Sequence, residues 1–239
     1  MDLHITFKIS ERVKKNAIHH MRSLLYNYLN DTEESYMFKR IASDALGLSD
    51  IGIIVKPEDY DKVESDDFIL QEEKEKIFFL IKSKADEYCF TNLALIHVDG
   101  TSAVSKKRTL KRLEYNKYNI QNVVLETAGT VDLDIEIKFA IGSTKYSIDV
   151  HKKHLEELKD LYKALTKISS IQEANTDYLE YAHNSLEIAS KSVGRSSSTQ
   201  TIEQEFKKIN EYTFEWLTHF HSTYRTKDFT SVFETFIKG

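Results

Sequence analysis

Four carboxylates, Glu126, Asp132, Asp134 and Glu136, crowd into the stretch VVLETAGTVDLDIEIKFAI. Side chains of this type at short spacing ligate a hard divalent cation, act as an acid and base pair in hydrolysis, or solvate the wet side of a strand. Val131, Leu133, Ile135, Ile137, Phe139 and Ile141 alternate with Asp132, Asp134, Glu136 and Lys138, so the last three carboxylates share one face of a β-strand. Successive side chains on that face stand roughly 6.5–7 Å apart, too far to share one metal ion unless a neighbouring strand or chain contributes a ligand. Nothing nearby in the sequence supplies a glycine-lined pocket to enclose an acid–base pair. The reading is an acidic ridge on a half-buried strand or an interaction surface made from it, with a metal-dependent hydrolase as the remote alternative.

Lys106, Lys107, Arg108, Lys111 and Arg112 form the densest positive feature. On a strand Lys106, Arg108 and Arg112 fall on one face and Lys107 and Lys111 on the other, so only part of the run can form a patch. Such charge commonly protects a sheet edge. The sharper alternatives are contact with anionic lipid headgroups or with the acidic ridge of another copy. Tyr115 and Tyr118 follow closely but are weak as a base-stacking platform in a chain with 13 tyrosines.

Among the histidines, His151 and His154 lie at i, i+3 of a helix start, His219 and His221 at i, i+2, and His19 and His20 are adjacent. None has a carboxylate at a metal-ligand spacing such as HExxH, so no metal or cofactor is expected. Cys89, between Tyr88 and Phe90, reads as a small core residue without an identifiable base to activate it.

The bulk composition narrows the function classes. A chain of 239 residues, 41% hydrophobic and 30% charged, can bury a real core. With 33 Lys and Arg against 38 Asp and Glu the net charge is −5, which gives no general attraction for nucleic acid or anionic lipid. One cysteine allows no intramolecular disulfide and no thiol-rich zinc site, and the expected compartment is a reducing cytoplasm. No window approaches the roughly 18–20 apolar residues of a membrane span, and charges occupy the N-terminal stretch where a signal peptide needs its apolar core. Seven scattered glycines exclude a Gly-rich phosphate loop.

These side chains must be positioned by a sheet and three helical stretches. Residues 77–150 alternate with period two through KIFFLIKS, DEYCFTN, LALIHVDG, RTLKRLEY, NIQNVVLE, VDLDIEIKFAI and KYSIDV, which predicts seven short strands. Asp99-Gly100, Ala128-Gly129 and Gly142-Ser143 supply turn chemistry between them. Leu155, Leu158, Leu161, Tyr162, Leu165 and Ile168 then adopt helical spacing, which predicts an amphipathic helix closing the sheet. Two further helices are predicted over residues 172–193 and 201–223, separated by GRSSST, as a hairpin. Its second arm carries Phe206, Ile209, Tyr212, Phe214, Trp216, Leu217 and Phe220, more aromatic surface than a thin hairpin hides; Phe206, Tyr212, Trp216 and Phe220 are the candidate self-association residues. Ahead of the sheet, MFKRIASDALGLSDIGIIV predicts a short amphipathic helix ended by Gly47.

The segments ADEYCFTNLALIHVDG, KRTLKRLEY and ETAGTVDLDIEIKFAIG with their closing helix resemble the bacterial pleckstrin-homology (PH) domain family, in which an FTN hairpin and an ETAG-x-x-D-L-D segment recur. Leu93 stands where the family often has a basic residue after FTN. The longer run from MFKRIASDALGLSDIG to FEWLTHFHSTYRTKDFTSVFE resembles the YvbH-like branch, with its added C-terminal helical hairpin, and covers residues 37–238. The resemblance implies a PH-like α+β fold, a strongly bent seven-strand antiparallel sheet or barrel capped by a helix and followed by the hairpin. It also implies assembly into a closed homo-oligomeric ring enlarged by the hairpin, and a polar surface for a protein partner where strands of adjacent protomers meet. Glu126, Thr127, Asp132, Asp134 and Glu136, with Lys107, Arg108, Lys111 and Arg112, are the candidate interaction residues. It implies no enzymatic activity, and family membership alone does not confer phosphoinositide binding.

The expected organisation is an extension over 1–36, a helix and linker over 37–70, the PH-like domain over 71–168 and the hairpin over 169–239. Met37 is read as a candidate translation start, because Glu33-Glu34 require purine-rich codons and Ser35-Tyr36 give them the spacing of a ribosome-binding sequence. Mass spectrometry of the native protein is expected to find an N-terminus at Met37; peptides from residues 2–36 overturn that start.

Overall fold

The computed structural model describes residues 51–100, 108–127, 134–193 and 201–237. The expected helix after Met37 lies outside them. Eight strands form two antiparallel sheets. The first comprises β1 (Ile53–Ile54), β2 (Ile77–Lys82), β3 (Glu87–Thr91), β4 (Ala94–Gly100) and β5 (Arg108–Glu114) in that order. The second comprises β6 (Ile120–Glu126), β7 (Asp134–Ile141) and β8 (Thr144–His151). The seven strands expected from periodicity are β2 to β8, divided between two sheets at the turn after β5. Two residues are too few to show a period, which is why β1 escaped the sequence. It nevertheless joins the sheets, because Gly52 N–H donates to Asp149 O at 2.7 Å and His151 N–H donates to Gly52 O at 2.9 Å. A Cβ on Gly52 would stand 2.7 Å from Ile81 Cγ2 and 3.0 Å from Asp149 O, so the close approach requires glycine.

The alternation in β7 works as read: Ile135, Ile137, Phe139 and Ile141 are buried, and the residues between them are half-exposed. They pack with Phe79, Ile81, Phe90 and Leu95 of the first sheet and Ile148 and Val150 of β8 in one core. A second, smaller cluster lies apart from it, where Val55 and Val63 meet Leu80, Cys89 and Ile96. Residues 57–73, a strap of three short 3-10 turns, supply Val63, Tyr60 and Ile69 to this cluster. Consequently β4 is buried on both faces, not on one as a two-period strand predicts. Burial also pushes the Cys89 thiol well above its ordinary range, the state of a packing residue and not of a nucleophile.

The capping helix and the first arm of the hairpin are one continuous helix, α1 (Leu155–Val193), in place of the two helices expected. No glycine or proline interrupts those 39 residues, and at 1.5 Å per residue they extend roughly 58 Å. Leu158, Leu161, Ala164, Leu165 and Ile168 close the core, while the far half projects away. Helix α2 (Ile202–Thr223) returns, its N-terminus capped by the Thr201 hydroxyl, which accepts from Gln204 N–H.

A third helix, α3 (Thr230–Phe236), was not foreseen. It carries the chain back into the main core, where Phe229, Val232 and Phe233 are buried. Phe233 stacks on Phe78 at 5.2 Å and Phe229 meets the buried Tyr115 edge-on at 5.8 Å. Tyr115 is therefore a core ring and not a stacking platform. Seven residues carrying TSVFETF are too short for a periodicity signal to separate from a hairpin tail.

Because Phe233 is 0% exposed, Phe233→Ala is expected to cost about 3–5 kcal/mol in urea unfolding. Phe214→Ala, at a position 70% exposed, is expected to stay within about 0.5 kcal/mol. Equal effects of the two changes would show that α3 is not part of the core.

Candidate functional site

The acidic ridge is assembled across three strands. Glu136 of β7 faces Glu126 of β6 on one side and Asp149 of β8 on the other, and Asp134 faces His151. Asp149, absent from the sequence reading, joins the ridge only through strand register. Lys138 lies in the middle, its ammonium 2.9 Å from Glu126 Oε1 and 2.8 Å from Glu136 Oε2. The Ser147 hydroxyl also donates to Glu136. Hydrogen bonds from Lys138 and then Ser147 hold the Glu136 carboxyl below its ordinary range. Asp149 is shifted the other way, by partial burial and then by the charges of Glu136 and Asp134. Thr127 is exposed beside Glu126, and Asp132 lies outside the described residues. No group of three or more His, Cys, Asp or Glu side chains among the described residues converges to hold a metal ion. The ridge is a polar, partly neutralised face.

The basic run is spent differently. Arg108 and Arg112 share a face, as their spacing predicted, and both reach acids in the segment between β1 and β2. Arg108 Nε donates to Glu64 Oε2 at 3.1 Å, and Arg112 Nη1 donates to Glu75 Oε2 at 3.0 Å. Lys111 makes an exposed pair with Asp99 at 3.4 Å, and Lys107 lies outside the described residues. Glu75 is 5% exposed and is the centre of a network. Its Oε2 also accepts from Leu70 N–H at 2.8 Å, and its Oε1 lies 2.6 Å from the Thr91 hydroxyl. Glu87, also buried, accepts from Ser65 N–H at 2.8 Å and pairs with Lys82. Glu64, Glu75 and Glu87 were not singled out in the sequence; an acid lying 37 positions before its arginine leaves no local signal.

The FTN signature belongs to the same network. The Thr91 hydroxyl accepts from Leu93 and Ala94 N–H at 3.1 and 2.9 Å, which shapes the β3–β4 turn. Asn92 Oδ1 accepts from Lys76 N–H at 2.8 Å, and its Nδ2 donates to Asp228 at 3.1 Å. Phe229 N–H completes the link by donating to Asn92 O at 2.9 Å. The signature thus anchors the segment that leads into α3.

The hairpin leaves apolar surface uncovered. Tyr212, Trp216, Phe220 and Tyr224 form a run of ring contacts spaced 5.1–5.8 Å, and Tyr224 stacks on Tyr178 of α1 at 4.8 Å. Trp216 and Phe220 are half-buried within their own chain. Towards the tip Ile202 is 88% exposed, Phe206 72% and Tyr212 60%, and Ile188 of α1 is exposed beyond Ala182, the last buried residue described in that helix. Strands β5 and β6 are edges, each with one strand neighbour among the described residues, and they carry exposed Leu110 and Val124. No helix among the described residues is long and apolar enough to cross a membrane.

Comparison with known proteins places this geometry in context. The bacterial PH domain family model matches residues 45–169, and the YvbH-like oligomerisation region model matches residues 180–239. The chain is 54% identical over 204 residues to the uncharacterised protein YvbH of Bacillus subtilis (strain 168), covering 85% of this chain and 100% of the relative. It also resembles the crystal structure of a PH-domain-containing protein from Exiguobacterium sibiricum 255-15. That match has a TM-score of 0.73 and 48% identity, over 79% of this chain and 100% of the other.

Replacing Glu75 by alanine strands Arg112, Leu70 N–H and the Thr91 hydroxyl together, and is expected to cost roughly 3 kcal/mol in chemical unfolding. Lys111→Ala removes only an exposed pair and should change stability by less than about 0.5 kcal/mol. A Glu75→Ala protein as stable as the parent would show that the network is incidental.

Proposed function

Because the chain belongs to the bacterial PH domain family and carries a YvbH-like oligomerisation region, we propose that it is a non-enzymatic protein that assembles into a closed homo-oligomeric ring and displays a repeated polar strand face to a protein partner. The observation that carries this reading is the uncovered seam near the hairpin tip, where Ile202, Phe206, Ile209 and Tyr212 stand exposed on one helix. A contiguous apolar surface of that kind is costly in water and marks an interface. It lies towards the far end of an arm tens of ångströms long, suited to reaching a neighbour's body, and such a head-to-tail contact closes into a ring when its rotation allows. The edge of β5, and that of β6 beyond Ile120, whose backbone is already bonded by Gln172 and Ser169 of α1, offer a second place for a neighbour to cover.

Glu126, Thr127, Asp134 and Glu136 form the polar face repeated around such a ring, where many weak contacts add up to avidity. The anionic-lipid alternative draws no support from Arg108 and Arg112, whose charges are engaged by Glu64 and Glu75. The hydrolase alternative finds its central carboxylate, Glu136, occupied by Lys138 and Ser147. A reducing cytoplasmic setting remains the proposal that suits a lone, buried Cys89.

Light scattering coupled to size exclusion tests the reading on the full chain. The parent is expected as one discrete species of at least three subunits, and Ile202→Glu with Phe206→Glu is expected to reduce its mass while preserving the far-UV spectrum. A monomeric or dimeric parent overturns the ring, and a double variant of unchanged mass overturns the role of the seam. Truncation after α1 would be a poorer test, since it also removes α3 from the core.

A further inference from the structure

A cleft of about 390 Å³ opens where the β5–β6 turn, the middle of α1 and the Tyr224–Thr226 link that follows α2 meet beside Gly142 of the β7–β8 turn. Each wall is held in place. Gln172 is buried, accepts from Ile120 N–H at 2.7 Å, and donates to Tyr115 O and Tyr118 O at 2.7 and 3.2 Å, which fixes the turn on the helix. Gly142 has a positive φ of 59°, and any Cβ there would stand 2.8 Å from the Tyr118 ring, so the ring lies directly on the glycine backbone. Asn175 Nδ2 donates to the Thr226 hydroxyl at 3.0 Å, and Tyr224 stacks on Tyr178, which together pin the third wall. The cleft is therefore preformed, a condition that limits the ordering cost of binding.

Its charge is unusual for this chain. Although the protein is acidic, with a net charge of −5, no Asp or Glu lines the cleft, whereas Lys117 and Arg225 do. Lys117 shares its charge with Glu114 at 2.7 Å, but Arg225 has neither an ion pair nor a hydrogen bond among the described residues. The side-chain amides of Asn116 and Asn119 are likewise unspent among the described residues. A neighbouring cleft of about 410 Å³ shares Asn119, Gln121 and Thr176 but is also lined by Glu173 and Asp177, so positive character belongs to the first cleft and not to the whole region.

We propose that this cleft binds a small organic anion, a carboxylate or phosphate ester with a planar body. Arg225 and Lys117 meet the anionic group, the Asn116 and Asn119 amides supply further hydrogen bonds, and the Tyr118 ring receives the planar part. Because Arg225 belongs to the extension and Lys117 to the PH-like domain, the ligand bridges the two. This proposal does not rest on ring assembly.

Calorimetric titration and thermal melts of the full chain with phenyl phosphate, benzoate and neutral phenol test it, with light scattering on the same samples to follow assembly separately. Saturable binding and a raised Tm are expected with phenyl phosphate or benzoate but not phenol; the better of the two identifies the anionic group. Arg225→Gln should weaken binding about tenfold, as loss of a charge-assisted contact does. Thr176→Glu, which places a carboxylate on an exposed position of the cleft wall, should abolish it. The proposal is overturned by the absence of binding with both anions, by equal binding of phenol, or by unchanged affinity in either variant.

Discussion

The buried carboxylate of Glu75 ties together elements that share no sequence neighbourhood. It accepts from the strap at Leu70, contacts the hydroxyl that shapes the β3–β4 turn at Thr91, and pairs with Arg112 of β5. A charge removed from water is tolerated only when its lone pairs are matched, and here three partners match them. The geometry leaves little freedom: the strap must lie over the first sheet and the turn must hold its shape. The neighbouring residue Asn92 then receives Asp228 and Phe229, so the route by which the C-terminal segment enters the core passes through the same turn.

That route changes what the helical extension is. A hairpin joined to a domain by one helix would swing about a single connection. Here the chain leaves the core through Leu158, Leu161 and Leu165 of α1 and returns to it through Phe229 and Phe233. The match to the oligomerisation region spans residues 180–239, so it contains both the exposed tip and the residues that complete the PH-like core. Folding of the domain and presentation of the arm are consequently coupled by packing, with no need for a separate signal between them.

Charge and apolar surface are divided accordingly. The two features that stand out as charge clusters, the acidic ridge and the basic run, are largely consumed within the protein: Lys138 bridges Glu126 and Glu136, while Arg108 and Arg112 secure the strap. Among the described residues, exposed surface is instead apolar towards the hairpin tip, and Lys117 and Arg225 line one small cleft that has no acidic residue in its wall. An exposed ion pair contributes little in water, whereas an uncovered row of large apolar side chains carries a cost that a neighbour can remove.

Periodicity alone determined much of this protein. The two-residue alternation of β7 placed Ile135, Ile137, Phe139 and Ile141 inside and Asp134, Glu136 and Lys138 outside, and helical spacing located the core-facing leucines of α1. Sequence motifs pointed to the PH-like family, and the surplus of aromatic residues on α2 pointed to self-association. What only the tertiary structure decided were the relations between distant segments: Glu75 with Arg112, Asp149 beside Glu136, Asn92 with Asp228, and α3 in the core. The physical reason is that periodic burial is a local property, repeated every two or 3.6 residues, and leaves its record along the chain. The pairing of a buried charge, the register of neighbouring strands and the destination of a seven-residue helix depend on which surfaces remain uncovered once the rest has folded, and no local pattern encodes that.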